Sequence, residues 1–117
     1  MKIELAKNEN IHFVGIGGIG MSGLALIMKG MGFKIQGSDI SNNKNIERLK
    51  KNRIKILIGH SKKNITKATI LVISSAIKKN NSEVLQAKIK NLPIYKRGDM
   101  LAHITSLTQN VVVAGSH

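Results

Sequence analysis

The stretch Ile11–Ala25, IHFVGIGGIGMSGLA, decides the fold. An apolar run leads into five glycines, Gly15, Gly17, Gly18, Gly20 and Gly23, and helix-forming residues follow. The pattern G-x-G-x-x-G fits Gly15, Gly17 and Gly20. In such a turn the first glycine permits the tight bend. The second lets backbone approach a diphosphate, and the third lets helix and strand pack closely. Amides at the helix start then face phosphate oxygens, and the helix dipole favours their charge. Taken alone the pattern is weak; the strand before it and the amphipathic helix after it favour a phosphate ligand over a tight turn with none.

Strand and helix patterns alternate outward from this turn. IHFVGI reads as a buried strand. The helix after it places Met21, Leu24, Ala25, Met28 and Met31 on one face, with Gly32 just past its end. FKIQGSD is a second strand, and NNKNIERLKKNR a short helix with Ile46, Leu49 and Ile54 on one side. IKILIGH is a third strand, and the apolar run Ile70–Ile73 is the clearest central strand. NNSEVLQAKIKN predicts a helix with Val84, Leu85 and Ile89 inward and Ser82 as cap. LPIYKR predicts a short strand, GDMLAHITSL a helix, and NVVVAGSH a final strand running into a glycine turn.

This alternation predicts an α/β fold, a Rossmann-like doubly wound, mostly parallel sheet with helices on both faces. Ligands of such sheets bind at the carboxyl ends of the strands. Gly15 to Gly20, Ser38–Asp39, Gly59–His60 and Ser74–Ser75 all follow predicted strands, so one sheet edge should collect them.

Composition removes several classes. With 117 residues the chain can build one domain with a real core. There are no cysteines, which excludes disulfides, thiolate zinc sites and a cysteine nucleophile. No apolar run reaches the ~18 residues of a membrane span. MKIELAKNEN lacks the apolar centre of a signal peptide, so the cytoplasm is the expected location. The net charge is +13, from 19 Lys and Arg against 6 Asp and Glu. Only Arg48, Arg53 and Arg97 are arginines, and Phe13, Phe33 and Tyr95 are the only aromatics. Base readout favours arginine and base stacking needs aromatics, so nucleic acid is not the expected partner. Ile, Lys and Asn together supply 45 of the 117 residues, a bias that accounts for the lysine-rich surface. The four histidines have no metal-ligand spacing. His12 reads as structural and His103 as a surface residue.

Asp39 lies 19 residues after Gly20, at the end of the second strand. A dinucleotide enzyme uses an acid there to accept hydrogen bonds from a ribose diol, so glycine turn and Asp39 also fit NAD. A turn or capping role is the alternative for Asp39. At this level an NAD-binding oxidoreductase or sensor domain and a nucleotide-sugar binder are not separated.

Further stretches separate them: GIGGIGMSGLA, the GSD of Gly37–Asp39, the GH of Gly59–His60, the ISSAI of Ile73–Ile77, Arg97 followed by Met100–Leu101, and the closing VVVAGSH. In that order they resemble the Mur ligase family, which builds the peptide stem of bacterial cell-wall precursors. The resemblance runs from about Ile11 to the last residue, and the glycine turn is its most specific part. Members have an N-terminal domain for a UDP-sugar, a central ATPase domain and a C-terminal domain for the incoming amino acid. The resemblance implies that residues 1–108 are the UDP-sugar-binding domain and that 109–117 begin the ATPase domain. Ala114, Gly115, Ser116 and His117 match the start of that domain's phosphate loop, A-G-[ST]-H-G-K-T, with Gly115, Ser116 and His117 at its ATP-binding edge. The lysine is not reached, so the chain reads as a piece of a longer protein with no ligase activity of its own.

The implied ligand is UDP-N-acetylmuramate, with L-alanine, ATP and Mg²⁺ handled by the other domains. No cofactor, metal or catalytic residue is implied within the 117 residues, and no membrane partner. By the same resemblance, Gly15, Gly17, Gly18, Ile19, Gly20 and Met21 form the turn, and the amides of Gly17, Gly18, Ile19 and Gly20 meet the diphosphate. Ser22 adds a hydroxyl or is only a first-turn residue. Ser38 and Asp39 lie near ribose or uracil, and His60 near the uridine. Ser74, Ser75 and Ala76 wall the pocket. Arg97 reaches the ligand or pairs with Asp99.

Overall fold

The computed structural model describes residues 2–115, with side chains through residue 108. Five strands form one sheet: β1 (Asn10–Val14), β2 (Lys34–Asp39), β3 (Lys55–Ile58), β4 (Ile70–Ile73) and β5 (Ile94–Lys96). Their order is β3-β2-β1-β4-β5, and every pairing is parallel. That is the nucleotide-binding order, with its switch point between β1 and β4. Helices α1 (Ile19–Gly30), α2 (Lys44–Lys51), α3 (Ser82–Ile89) and α4 (Arg97–Gly115) connect or follow the strands. A 3₁₀ turn at Lys62–Ile65 sits between β3 and β4.

Side-chain alternation along β1 separates two layers. Ile11 and Phe13 face α1, α2 and α4, where Met21, Leu24, Met28, Ile46, Leu49 and Met100 complete the larger core. Val14 faces the other layer, with Ile65, Leu71 and Ala87. α1 stops where its glycine stands. Gly32 has φ +97°, its amide bonds Lys29 O at 3.0 Å, and the Phe33 amide bonds Met28 O at 3.1 Å. This paired closure needs a residue that tolerates the left-handed region. Lys7 binds the nearby Met31 carbonyl and places its ammonium 4.4 Å from the Phe33 ring centre.

Two expectations are corrected. α3 is rotated from its predicted phase: Leu85 and Ile89 are exposed, while Glu83, Val84 and Ala87 face inward. Its cap is Asn81, whose side chain accepts from the Glu83 and Val84 amides, and not Ser82. The final strand does not form among the described residues, because Asn110–Ala114 continue α4. A helix gains one internal hydrogen bond per added residue, whereas a strand needs a neighbouring strand. Of the matched phosphate-loop residues, Ser116 and His117 lie outside the described residues.

At Gly37 the sheet leaves no room for a side chain. A Cβ there would lie 2.6 Å from Ile16 Cβ and 2.8 Å from Phe13 O. At Gly23, inside α1, an added methyl group would meet nothing within 4 Å. Gly37→Ala is therefore expected to destabilise by about 2 kcal/mol or more. Gly23→Ala is expected to be neutral or to stabilise by about 0.5–1 kcal/mol. Urea midpoints of the two variants check the contrast, and equal shifts would contradict this packing.

Candidate functional site

The glycine turn leaves the carboxyl end of β1 at Gly15, which has φ +79°. The Gly15 and Ile16 amides both bond the Ser38 carbonyl, at 2.8 and 2.9 Å, which moors the turn to β2. Asp39 holds its middle. Its Oδ2 accepts from the Gly17 amide at 2.8 Å and its Oδ1 from the Ile40 amide at 2.8 Å. Asn45 donates to the Gly17 carbonyl at 2.9 Å. Gly17 is a glycine because a Cβ would meet Asp39 Oδ2 at 2.8 Å and Ile46 Cδ1 at 3.0 Å. Its immediate reason is thus packing against the protein's own acid.

Two of the four amides expected at a diphosphate are already engaged, Gly17 with Asp39 and Gly18 with the Gly15 carbonyl at 3.2 Å. The open donors lie one step further on. Gly18 caps α1 without a side-chain bond, and the first turn carries no acid. No acceptor among the described residues takes the amides of Ile19, Gly20 or Met21. Ser22 is buried and donates its hydroxyl to the Ile19 carbonyl at 3.1 Å, as a first-turn residue does. Arg97 lies across this turn: a Cβ on Gly20 would stand 3.0 Å from its Cδ and 3.1 Å from its Nε. Gly20 therefore makes room for an arginine and not for a strand. Arg97 makes no ion pair with Asp99. An uncapped helix start beneath a guanidinium is a site for an anion.

Below the edge lies a polar cluster that the sequence reading missed. Glu83, fully buried, accepts from five groups. Ser38 Oγ donates to Oε1 at 2.6 Å and His12 Nε2 at 2.7 Å. Asn64 Nδ2 donates to Oε2 at 2.7 Å, the Ser61 amide at 3.1 Å and His60 Nδ1 at 3.4 Å. Burial opposes the charge, but hydrogen bonds from His12, Ser38 and Asn64 outweigh it and bring the carboxyl from 4.5 down to about 2. The cluster exists because His12, Gln36 and Ser38 are polar residues on one face of adjacent strands, with His12 opposite Gln36 and Val14 opposite Ser38. That polar stripe was the available signal. Glu83 itself looked like an ordinary acid in a helix's first turn.

The Gln36 amide nitrogen donates to the Asn64 carbonyl at 2.9 Å and lies 2.8 Å from His12 Nδ1. A nitrogen that donates to a carbonyl makes His12 Nδ1 the acceptor. His12 is then neutral, with its proton on Nε2 for Glu83.

Beside the cluster, a cavity of about 480 Å³ opens between Gly15, Asp39, Ile40, His60 and the turn after β4. Ala76 and Ile77 form its far wall. Ser74 is half-buried and Ser75 exposed in that turn, and neither lines the cavity. His103 is half-buried on α4, in a groove with Lys2 and Asp99 away from the site. The structure thus gathers Gly15–Ser22, Ser38, Asp39, His60, Ala76 and Arg97 at one edge. Among the described residues no cluster of three potential metal ligands occurs, and no helix is long and apolar enough to cross a membrane.

A parallel sheet with a glycine turn and an open helix start at its switch point is the arrangement in which α/β domains of this class place phosphate-bearing ligands. A model of the Mur ligase family, catalytic domain, matches residues 10–109, and the chain belongs to this family. It is 76% identical over 117 residues to the UDP-N-acetylmuramate–L-alanine ligase of Pelagibacter ubique, covering 100% of this chain and 25% of that one. It is 50% identical over 109 residues to the enzyme of that name from Aquifex aeolicus, covering 93% and 24%. The crystal structure of UDP-N-acetylmuramate-alanine ligase from Thermotoga maritima superposes with TM-score 0.80 at 33% identity, over 83% of this chain and 23% of that one. The chain spans about a quarter of the length of the relatives it matches.

The cluster makes stability pH-dependent. Glu83 titrates lower in the folded chain than its ordinary 4.5, so its contribution is complete above about pH 5 and is lost as pH falls toward 2. Urea unfolding at pH 7 and pH 3 should show this loss, and Glu83→Gln should be less stable at pH 7 and lose the carboxylate's share of the slope below pH 5. An equally steep pH slope in the variant would remove Glu83 as its source.

Proposed function

We propose that this chain is the part of an ATP-dependent amide-forming ligase that holds UDP-N-acetylmuramate. The observation that carries this reading is the open first turn of α1. Three amides, at Ile19, Gly20 and Met21, are open there, Arg97 packs against Gly20, and a cavity of nucleoside size begins at Gly15 of the same turn. The diphosphate sits on those amides and against the guanidinium. The uridine enters the cavity between Ile40 and Ile77, within reach of His60. Asp39 keeps the turn ordered and retains lone pairs for a ribose hydroxyl. Ser38 acts from below, through the Glu83 cluster.

The names of the relatives support L-alanine as the amino acid joined to the sugar's lactyl carboxylate. In this reaction ATP phosphorylates the carboxylate to an acyl phosphate, releasing ADP, and the amine then displaces phosphate. In this reading ATP and Mg²⁺ belong with the length of the relatives that the chain does not span, and residues 109–117 lead toward it. The described residues act by position: they fix one end of the substrate so that its carboxylate is presented to the chemistry. The cytoplasm, where nucleotide sugars and ATP are available, is the proposed location.

The competing NAD reading shares the turn and Asp39 but has no candidate for handling a hydride. Titration of the chain with UDP-N-acetylmuramate and with NADH, followed by amide NMR shifts, decides between them. The sugar nucleotide should bind more tightly and move the Ile19–Met21 amides, and tighter binding of NADH would overturn the assignment. Gly18→Asp sharpens the test. A Cβ at Gly18 makes only ordinary contacts, 3.5 Å from Gly15 O and 3.8 Å from Met21 Cγ. Its extended backbone, φ −64° and ψ 153°, suits a capping aspartate. The variant should melt no lower than the parent, yet lose at least about tenfold in affinity, because its own carboxylate occupies the anion's place. Unchanged affinity would disprove this docking.

A further inference from the structure

We propose that Glu83 is a positioning residue for the ligand: through Ser38 it fixes the proton of His60 on Nδ1, so that Nε2 faces the cavity as a ready acceptor for a hydrogen-bond donor of the bound nucleoside. The inference rests on the reading of the cavity as a nucleoside site. Proton accounting within the cluster carries it. Ser38 has one hydroxyl hydrogen, and its 2.6 Å contact with Glu83 Oε1 uses it. The Ser38 oxygen can then only accept from His60 Nδ1, which lies 3.1 Å away. The second neighbour of that nitrogen, Glu83 Oε2 at 3.4 Å, is also an acceptor. Both neighbours demand a hydrogen on Nδ1. His12 cannot take over the role, because Gln36 makes its Nδ1 an acceptor and Glu83 already receives its Nε2 hydrogen.

His60 Nε2 has no partner among the described residues. The ring lines the cavity and its side chain is 18% exposed. An imidazole held in this form accepts from O–H or N–H. A nucleoside of uracil offers both, in the ribose hydroxyls and the imide N–H of the base. A base presenting only an acceptor at that point would leave two lone pairs opposed, so the arrangement also selects.

The test begins with the parent chain, which removes any question of a variant's folding. Ring ¹⁵N shifts of His60 at pH 8 should show the proton on Nδ1, against the usual preference for Nε2. A proton on Nε2 would overturn the proposal. Adding UDP should move the Nε2 resonance in the direction of hydrogen-bond acceptance. N3-methyl-UDP failing to do so assigns the donor to the base, and 2′-deoxy-UDP failing assigns it to the ribose. UDP that binds without moving Nε2 would overturn the proposal and leave the function standing. The Nδ1 form in a chain that binds no UDP would sink the nucleoside reading instead. Glu83→Gln should release the ring toward the Nε2–H form and weaken UDP binding about tenfold, the worth of one such hydrogen bond. A variant that binds weakly with the Nδ1 form intact would show a merely structural role.

Discussion

A buried carboxylate holds the edge that carries the candidate site together. Glu83 reaches from α3 under the sheet and receives hydrogen bonds from β1, from β2, from His60 and Ser61 after β3, and from Asn64 in the 3₁₀ turn. A charge without water is tolerable only when its lone pairs are filled, and here five donors fill them. The carboxylate therefore dictates the local arrangement. His12 is buried in the central strand, Ser38 points into the interior, and the loop after β3 folds back toward α3.

Asp39 does the comparable work above the sheet. It takes the Gly17 amide, so the turn is braced by the protein's own acid and the donors left open shift to Ile19, Gly20 and Met21. The motif glycines divide their labour accordingly. Gly15 supplies the left-handed bend, Gly17 yields space to Asp39 and Ile46, and Gly20 yields space to Arg97. The two acids play unlike parts, one supporting the pocket from within and the other shaping its rim.

The fold was legible because its signals are local. Apolar runs at 11–16 and 70–73, the helical spacing from Met21 to Met28 and the stop at Gly32 all appear in the structure. Of the candidate site, the gathering of the glycine turn, Asp39, His60 and Arg97 at one sheet edge was legible. The cluster was not, because its members lie as far as 71 residues apart and Glu83 carries no mark of burial. The same burial sets the phase of α3: with Glu83 facing inward, Leu85 and Ile89 fall on the exposed side. The closing VVVAG shows the limit of composition, since β-branched residues favour a strand only where another strand stands beside them.

The bracing of the glycine turn by Asp39 has a kinetic side. A loop that must order itself around its ligand spends part of the encounter searching, and capture is slow. Here Asp39 and the Ser38 carbonyl already set the peptide planes of the turn, so the proposed ligand would meet an ordered loop. Capture speed then depends on how often an anion reaches the rim, and a chain of net charge +13 draws anions from solution. With the proposed ligand, such a domain would act as an electrostatic funnel with a pre-set mouth, its on-rate falling as ionic strength rises.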